Sequence, residues 1–263
     1  MKILVVGDVV GRSGRETLKL FLFKNKMQYD FIIVNGENAA NGFGLTPEIA
    51  DEMLSYGCDV LTSGNHIWDK REIYDYLDNS SRVLKPLNYP VNTPGKGCTI
   101  LEDKKKHKIA VISLQGRVFM SPIDCPFTRV KEKIDEIRKI TKYIIIDFHG
   151  EATSEKIAMG WYLDGYISLL YGTHTHVQTA DNKILPEGTG YISDVGMTGS
   201  DNGIIGMSVE SVLPKFLSVL PQKFQLAEGN LRINAIEVEI SEETGECTSI
   251  KRLNKSFTEV ELS

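Results

Sequence analysis

Short apolar runs alternate with amphipathic segments through the first three quarters of the chain. Runs such as KILVV, FIIV and YIIIDF are short enough to be buried strands. Residues 14–27 instead have helical periodicity, with Leu18, Phe21 and Leu22 on one face and Ser13 as the expected N-cap. This alternation predicts an α/β fold with helices layered around a sheet. Periodicity alone does not decide between one sheet and two sheets packed face to face.

Two further patterns mark element boundaries. Thr46 and Pro47 are typical of the N-cap and first position of a helix, and Gly57 is typical of a helix end. From residue 232 the pattern becomes two-residue alternation, INAIEVEIS, followed by a turn at residues 243–245 and CTSIKRLN. This predicts an antiparallel hairpin. Because no repeat, low-complexity tract or linker interrupts the chain, we expect a single domain over residues 1–263.

Composition narrows the class of protein. The chain has 263 residues, 41% hydrophobic and 25% charged, as in an ordinary globular protein. A net charge of −5 argues against non-specific electrostatic binding of nucleic acid, but it does not exclude binding of a mononucleotide or a short RNA end. The first apolar run is too short for a signal peptide, and no run could span a bilayer. Four widely spaced cysteines without a CxxC pair favour a reduced, cytoplasmic setting.

Polar residues of metal-ligating types directly follow five of the apolar runs. They are Asp8, Glu37, Asn38, Asn65, His66, His149, His174 and His176. In open α/β sheets the carboxyl ends of the strands form the ligand crevice. Singly, each residue has an ordinary explanation as a turn former, a helix cap or a core histidine. Together they predict a polynuclear metal site and hydrolytic chemistry, whereas His107, in a charged turn, is expected to be a solvated surface residue.

The residue types indicate which metals would bind. In an extended segment His174 and His176 would point to the same side, so that both imidazoles could reach one centre. Glu37 could bridge two cations through its two carboxylate oxygens. The mixture of carboxylate, amide and imidazole favours Mn, Fe, Co or Zn over a thiolate-bound structural zinc. Two such ions about 3.5–4 Å apart would hold a bridging hydroxide and clamp a phosphoryl group.

Six motifs in one order resemble the calcineurin-like metallophosphoesterases, and more closely their YmdB-type branch. They are GDVVGRSGR, NGENAANGFGLT, TSGNHIWDKRE, DFHGEATSEK, YGTHTHVQTAD and DVGMTG, and they span nearly the whole chain. The resemblance implies a layered α/β/β/α sandwich with two mixed sheets flanked by helices. The chain departs from the wider superfamily at two places. Asp8-Val9-Val10 replaces the usual Asp-x-His, and Gly36-Glu37-Asn38 replaces the usual Gly-Asp.

The resemblance also implies an activity, the hydrolysis of 2′,3′-cyclic nucleotides to 3′-nucleotides and of other phosphate esters, with iron as the expected metal and Mn, Zn or Mg as alternatives. A symmetric homo-oligomer is a further expectation. The implied metal ligands are Asp8, Asn38 and His176 for the first ion, Asn65, His149 and His174 for the second, and Glu37 between them. His66 would protonate the leaving oxygen, a role worth about 10²–10⁴ in rate.

Several interpretations stay open at this point. Arg12 could direct its guanidinium at a phosphate near Asp8, or it could be an exposed arginine before a helix. The glycine-rich residues 194–207 fit either an edge of the substrate pocket or a series of structural turns. Phe43 and Trp68 could stack on a base, although core packing is favoured. Two other functions compete with the phosphodiesterase: a metallohydrolase of esters or amides, and a regulatory RNA-associated or signalling protein whose metals are structural.

Overall fold

The computed structural model describes residues 1–257, so residues 258–263 of the expected domain lie outside the described residues. The helices are α1 (Gly11–Asn25), α2 (Pro47–Ser55), α3 (Ile73–Asn79), α4 (Pro126–Ile137), α5 (Thr153–Tyr162) and α6 (Val209–Ser218). The strands are β1 (Lys2–Val6), β2 (Asp8–Val9), β3 (Phe31–Asn35), β4 (Val60–Thr62), β5 (Cys98–Glu102), β6 (Lys108–Gln115), β7 (Tyr143–His149), β8 (Leu169–Thr173), β9 (Lys183–Ile184), β10 (Gly190–Ile192), β11 (Met197–Ser200), β12 (Leu231–Ile240) and β13 (Cys247–Phe257). Within residues 1–257, each helix is too short or too polar to cross a membrane.

The strands form two mixed sheets. The first has seven strands in the order β2-β11-β12-β1-β3-β4, with β13 paired to β12, and the second has six in the order β5-β6-β7-β8-β10-β9. Strands β1, β3 and β4 run parallel in the first sheet, as do β6, β7, β8 and β10 in the second. The late strands β12 and β13 pair antiparallel, which confirms the predicted hairpin.

Both faces of the central strands are buried, which explains their continuous apolar runs. In β1, Leu4 and Val6 pack in the cluster beneath α1 and α2, whereas Ile3 and Val5 pack in a cluster with Ile145 of the second sheet. A third cluster covers the outer face of the second sheet beneath α4 and α5. The order of layers is therefore helix, sheet, sheet, helix, and the expected α/β/β/α sandwich is confirmed.

One predicted helix boundary is wrong. Helix α1 begins at Gly11, with Val10 as its N-cap, so Ser13 lies inside the first turn and does not cap the helix. The reason is tertiary, because this helix start is buried against neighbouring backbone. The Gly11 amide donates to the Asn38 carbonyl at 2.9 Å, and Val10 N–H donates to the Thr198 carbonyl at 2.9 Å. Helix α2 has the predicted Thr46 cap, whose side chain accepts from Ile49 N–H.

Candidate metal centre

Three of the predicted ligands meet beside Glu37 at the carboxyl ends of the parallel strands, and we call them the His149 group: Asn65, His149 and His174. His149 ends β7, Asn65 follows β4, and His174 follows β8. The Nε2 atom of His149 lies 3.0 Å from Asn65 Oδ1, 3.0 Å from His174 Nδ1 and 3.0 Å from Glu37 Oε1. Possible ligand atoms of Glu37, His149 and His174 lie within 4.8 Å of one another, as a metal site requires.

The other predicted ligands, Asp8, Asn38 and His176, form what we call the Asp8 group. Asp8 is completely buried, and its Oδ1 atom lies 3.9 Å from His176 Nε2. Neither Asp8 Oδ1 nor Asn38 Oδ1 has a hydrogen-bond partner among the described residues. Buried oxygens without a partner are rare, because each loses its hydration without compensation. Oxygens of this kind are the ligands that a cation would need here, so the residues fit a bound metal.

Each of the three histidines has one ring nitrogen held by a protein oxygen. Nδ1 of His149 lies 2.9 Å from Thr173 Oγ1, and Nε2 of His174 lies 3.1 Å from a Glu151 carboxylate oxygen. Nδ1 of His176 lies 3.0 Å from the Ile205 carbonyl oxygen. These contacts fix the ring orientations and leave the opposite nitrogen of each ring for the centre, as in metal-binding histidines generally.

Asp147 supports His149 through a hydroxyl group. The Thr173 hydroxyl donates to Asp147 Oδ1 at 2.7 Å, so its lone pair is free to accept from His149 Nδ1–H. Asn35 Nδ2 donates to the other carboxylate oxygen at 3.0 Å. Burial raises the pKa of Asp147 to about 7. Sequence reasoning missed this role, and the available signal was the position of Asp147 two residues before His149 on a strand, which places both side chains on one face.

His174 and His176 do not lie in an extended segment, so that prediction is wrong. Strand β8 ends at Thr173, and the two histidines have φ angles of 101° and 66°. This left-handed region is strained for residues other than glycine, and such strain persists only where the surroundings enforce it. The bend is held at Thr175, whose amide and hydroxyl donate to Asp194 Oδ2 at 3.1 and 2.7 Å.

Asp194 is in turn held by a buried lysine. Lys156 is 1% exposed, and its Nζ donates to Asp194 Oδ2 and to the Thr173 carbonyl, both at 2.8 Å. A buried ion pair needs further hydrogen bonds to offset its loss of hydration. Here those bonds go to the segment that carries His174. Neither Lys156 nor Asp194 was recognised from the sequence as a functional residue, because nothing local distinguishes them from ordinary polar positions.

Electrostatics favours positive charge beside Glu37. Burial opposes ionisation of Glu37, but the hydrogen bond and attraction to His149, together with attraction to His66 and His174, outweigh burial and lower the pKa of Glu37 to about 2. Burial likewise opposes a charge on His149, yet the Glu37 carboxylate, together with Asp8 and Asp147, raises the pKa of His149 to about 9. Burial, and then repulsion by His149, lower the pKa of His174 to about 3. The centre thus combines an ionised carboxylate with a neutral imidazole, both of which can donate electron pairs to a metal.

His66 lies at the edge of this centre. Its backbone N–H donates to Glu37 Oε2 at 3.2 Å, and its Nδ1 lies 2.8 Å from Asp69 Oδ2. The ring packs edge-on against Phe43, with centroids 5.0 Å apart. A cleft of about 300 Å³ opens beside the predicted metal ligands, and its lining includes Glu37, Phe43, His66, His174, Ile205 and Phe224. Trp68 instead packs against Tyr74 and Tyr89, as core packing predicts.

Two residues lie apart from the centre. Arg12 is in the first turn of α1, ion-pairs with Glu16 at 2.7 Å and lines a separate, larger cleft of about 940 Å³. The structure does not bring it to the ligand cluster, so its substrate-binding role stays a prediction. His107 is not fully solvated, contrary to expectation, because its Nδ1 lies 2.9 Å from Asp103 and its ring packs on Tyr143.

Known proteins match this chain over most of its length. The model of a family described as "YmdB-like protein" matches residues 4–253. A 2′,3′-cyclic-nucleotide 2′-phosphodiesterase of Bacillus subtilis is 49% identical, with 96% of each chain covered. A hypothetical protein from Thermus thermophilus has a solved structure with a TM-score of 0.92 and 41% identity, covering 97% of this chain and 99% of that chain. The structure of a "novel phosphatase" from Mycoplasma pneumoniae matches with a TM-score of 0.90 and 31% identity, covering 100% and 96%.

Proposed function

The chain belongs to the YmdB-like family, whose metallophosphoesterase character implies divalent metal ions, and we propose that it is a metal-dependent phosphodiesterase that hydrolyses 2′,3′-cyclic nucleotides to 3′-nucleotides. The observation that carries the proposal is the convergence of six predicted ligands around Glu37, two of which have a buried oxygen without a partner. The name of the Bacillus subtilis relative supports the substrate class. We extend the proposal to other phosphate esters and to RNA ends that carry the same cyclic phosphate.

The family resemblance implies how the predicted ligands divide between two ions. In our proposal the Asp8 group would hold one, the His149 group would hold the other, and Glu37 would contribute to both. We propose iron as the native metal because the resemblance implies it, with Mn, Zn or Mg as alternatives, and the mixture of carboxylate, amide and imidazole donors is compatible with iron. Bound divalent ions supply Lewis acidity toward phosphoryl oxygens and make hydroxide available near neutral pH.

His66 is the proposed general acid. The Nδ1–H group of His66 donates to Asp69, and the ring lines the cleft. In the proposed role the ring enters the reaction as the imidazolium, whose Nε2 proton goes to the leaving oxygen. In the proposed reaction, hydroxide oxygen forms a bond to phosphorus, the bond from phosphorus to the 2′-oxygen breaks, and the 2′-oxygen takes the His66 proton. A 3′-phosphate and a free 2′-hydroxyl result. Proton donation of this kind contributes about 10²–10⁴ in rate.

The competing functions have less support. Ester or amide hydrolysis would use the same ligands, but the relatives whose names give an activity are a phosphodiesterase and a phosphatase. A regulatory protein with structural metals would not need His66, whose ring lies at the cleft and outside both ligand groups. Four free cysteines agree with the proposed cytoplasmic setting. The homo-oligomer and the single domain over residues 1–263 are further parts of the proposal.

The deciding experiment begins with protein purified without oxygen. Its metal content is measured first, and turnover of 2′,3′-cAMP is then assayed before and after removal of metal with a chelator and reloading with Fe, Mn, Zn or Mg. We expect loss and recovery of activity, with 3′-AMP as the product identified by chromatography. Formation of 2′-AMP, or turnover that survives metal removal, would contradict the proposal. Acyl esters and amides assayed beside the nucleotide distinguish the other hydrolase class.

A matched pair of histidine variants tests the acid role. His66→Ala should reduce turnover by about 10²–10⁴ while metal content is preserved. His107→Ala is the control, because His107 also contacts a carboxylate through Nδ1 at 2.9 Å but packs on Tyr143, away from the ligands. We expect wild-type turnover from that variant. Loss of metal from His66→Ala would show that His66 is a ligand instead.

A further inference from the structure

A tight turn beside the cleft has an unusual residue at its tip. Ile204 and Met207 are paired, with N–H to carbonyl distances of 2.8 and 3.0 Å, and the two residues between them have positive φ, 47° for Ile205 and 92° for Gly206. Two-residue turns of this kind favour Asn-Gly, because asparagine tolerates the left-handed region. A β-branched residue there is an outlier that costs roughly 1–3 kcal/mol.

The fold does not explain why isoleucine occupies that position. Ile205 is 50% exposed and belongs to none of the three apolar clusters formed by the described residues. Its carbonyl oxygen lies 3.0 Å from His176 Nδ1, but asparagine or glycine would offer the same carbonyl with less strain. The contact of the Ile205 carbonyl with His176 therefore does not explain why the side chain at this position is isoleucine. What remains is contact with something that enters the cleft, which Ile205 lines.

The lining of the cleft combines two kinds of side chain. Glu37, His66 and His174 belong to the metal centre or its edge, whereas Phe43, Ile205 and Phe224 are apolar. Phe43 also packs edge-on against His66, so an apolar side chain lies next to the proposed acid. A ligand that matches both kinds of side chain has a phosphate at one end and a flat, largely apolar group at the other. A nucleotide has this construction.

We propose that Ile205 is a specificity-determining residue that contacts the nucleobase of the substrate, together with Phe224, which lines the same cleft. This inference rests on the proposed function, because it names the part of the nucleotide that these apolar side chains bind. The backbone strain at Ile205 is then the cost of keeping a half-exposed apolar side chain in the lining of the cleft. Small apolar contacts of this kind discriminate between ligands about 10–200-fold.

The test is Ile205→Asn, which keeps the turn conformation and removes the apolar side chain. Turnover of 2′,3′-cAMP is compared with turnover of ribose 2,3-cyclic phosphate, which lacks the base. We expect KM for 2′,3′-cAMP to rise roughly tenfold at unchanged kcat, and both constants for the base-free substrate to stay within about twofold. Phe224→Ala should act in the same direction. The melting temperature of Ile205→Asn should equal or exceed that of the wild type.

Val219 provides a matched control. It also has a β-branched side chain and positive φ, 62°, at the end of α6, and it is 86% exposed without lining the cleft. Val219→Asn should likewise leave the melting temperature equal or higher, but it should change neither KM. A rise in KM for 2′,3′-cAMP in this variant would show that relief of strain, and not loss of a base contact, alters binding.

Other outcomes overturn the inference in distinct ways. An unchanged KM for 2′,3′-cAMP in Ile205→Asn would exclude the base contact. An equal rise for both substrates would mean that the residue acts only through the His176 ring. Binding of 3′-AMP and of ribose 3-phosphate, measured by calorimetry on the same proteins, tests the contact without turnover. Wild-type protein that binds 3′-AMP more tightly than ribose 3-phosphate but hydrolyses neither cyclic substrate would contradict the proposed function and keep this inference.

Discussion

The two ligand groups on either side of Glu37 differ in how completely the protein itself satisfies them. In the His149 group, the Nε2 atom of His149 lies 3.0 Å from three neighbouring polar atoms. In the Asp8 group, Asp8 Oδ1 and Asn38 Oδ1 have no hydrogen-bond partner among residues 1–257, and Asp8 Oδ1 lies 3.9 Å from His176. The His149 group is assembled by side-chain contacts, whereas the Asp8 group has two buried oxygens that a cation could satisfy.

We therefore expect metal binding to stabilise the folded protein more at the Asp8 group than at the His149 group. Burial raises the pKa of Asp8, which means that its negative charge is held at a free-energy cost in the metal-free chain. Glu37 has a compensating partner in His149, at 3.0 Å. In the metal-free protein, removing the Asp8 carboxylate should therefore raise the free energy of unfolding, whereas removing the Glu37 carboxylate should lower it. Four substitutions test this comparison.

Glu37→Gln should have the largest effect, because it removes the carboxylate that we propose contributes to both metal sites and that contacts His149 at 3.0 Å. We expect turnover to fall by at least about 10³-fold, since a bound metal supplies several kcal/mol and each 1.4 kcal/mol is tenfold. The measurement is kcat/KM with metal content on the same sample. Glu48→Gln, on the exposed side of α2, is the control and should behave as wild type. Retention of a tenth of the activity would exclude a shared role for Glu37.

Thr173→Val should weaken the His149 group alone. It removes the hydroxyl between Asp147 and His149 while keeping the shape of the side chain. Loss of such a support costs about 10–100-fold in metal affinity. Titration with Co²⁺, followed by its visible absorption, should show one weakened site and one unchanged site. Thr189→Val, at another completely buried threonine, is the control. An equal loss of Co²⁺ affinity at both sites would contradict the proposed distinction between the His149 group and the Asp8 group.

Asp8→Asn should stabilise the metal-free chain while it weakens metal binding at the Asp8 group. Replacing a buried charge whose Oδ1 has no partner in the described structure should raise the free energy of unfolding by about 1–3 kcal/mol. Urea denaturation in excess chelator measures this change. In the metal-loaded protein the order of stability should reverse, so that the wild type has a higher free energy of unfolding than Asp8→Asn. A destabilised metal-free variant would show that the protein already satisfies Asp8.

Thr175→Val should have the smallest effect, spread over both groups. The substitution removes the hydrogen bond that the Thr175 hydroxyl donates to Asp194 Oδ2 at 2.7 Å, in the bend that carries His174 and His176, and it leaves the Lys156–Asp194 ion pair in place. One hydrogen bond contributes about 1 kcal/mol, which corresponds to roughly fivefold in metal affinity. The Co²⁺ titration should show both sites weakened alike. An effect on one site only would mean that Asp194 does not hold the bend as a unit.

Predictions from periodicity succeeded where neighbouring residues decide the outcome. The apolar run before Gly36 is β3 (Phe31–Asn35), and Thr46 with Pro47 begins α2 as expected. They failed where distant segments decide, as at Ser13, because the start of α1 is buried against other backbone. Strands β2, β5, β9 and β11 and helix α6 were not predicted. Strands β2 and β9 have two residues each, too few for a periodic signal, and α6 has a proline, Pro214, inside it.

The amino-acid sequence by itself determined which donor atoms are available, because the chemistry of a side chain does not depend on folding. Glu37, Asn65 and His149 each follow an apolar run, and parallel pairing brings the ends of such runs together. Orientation depended on tertiary contacts. The left-handed bend at His174 and His176, the hydroxyl link from Asp147 and the contact of the His176 ring with the Ile205 carbonyl all depend on segments far apart in sequence, whose contacts no local pattern records.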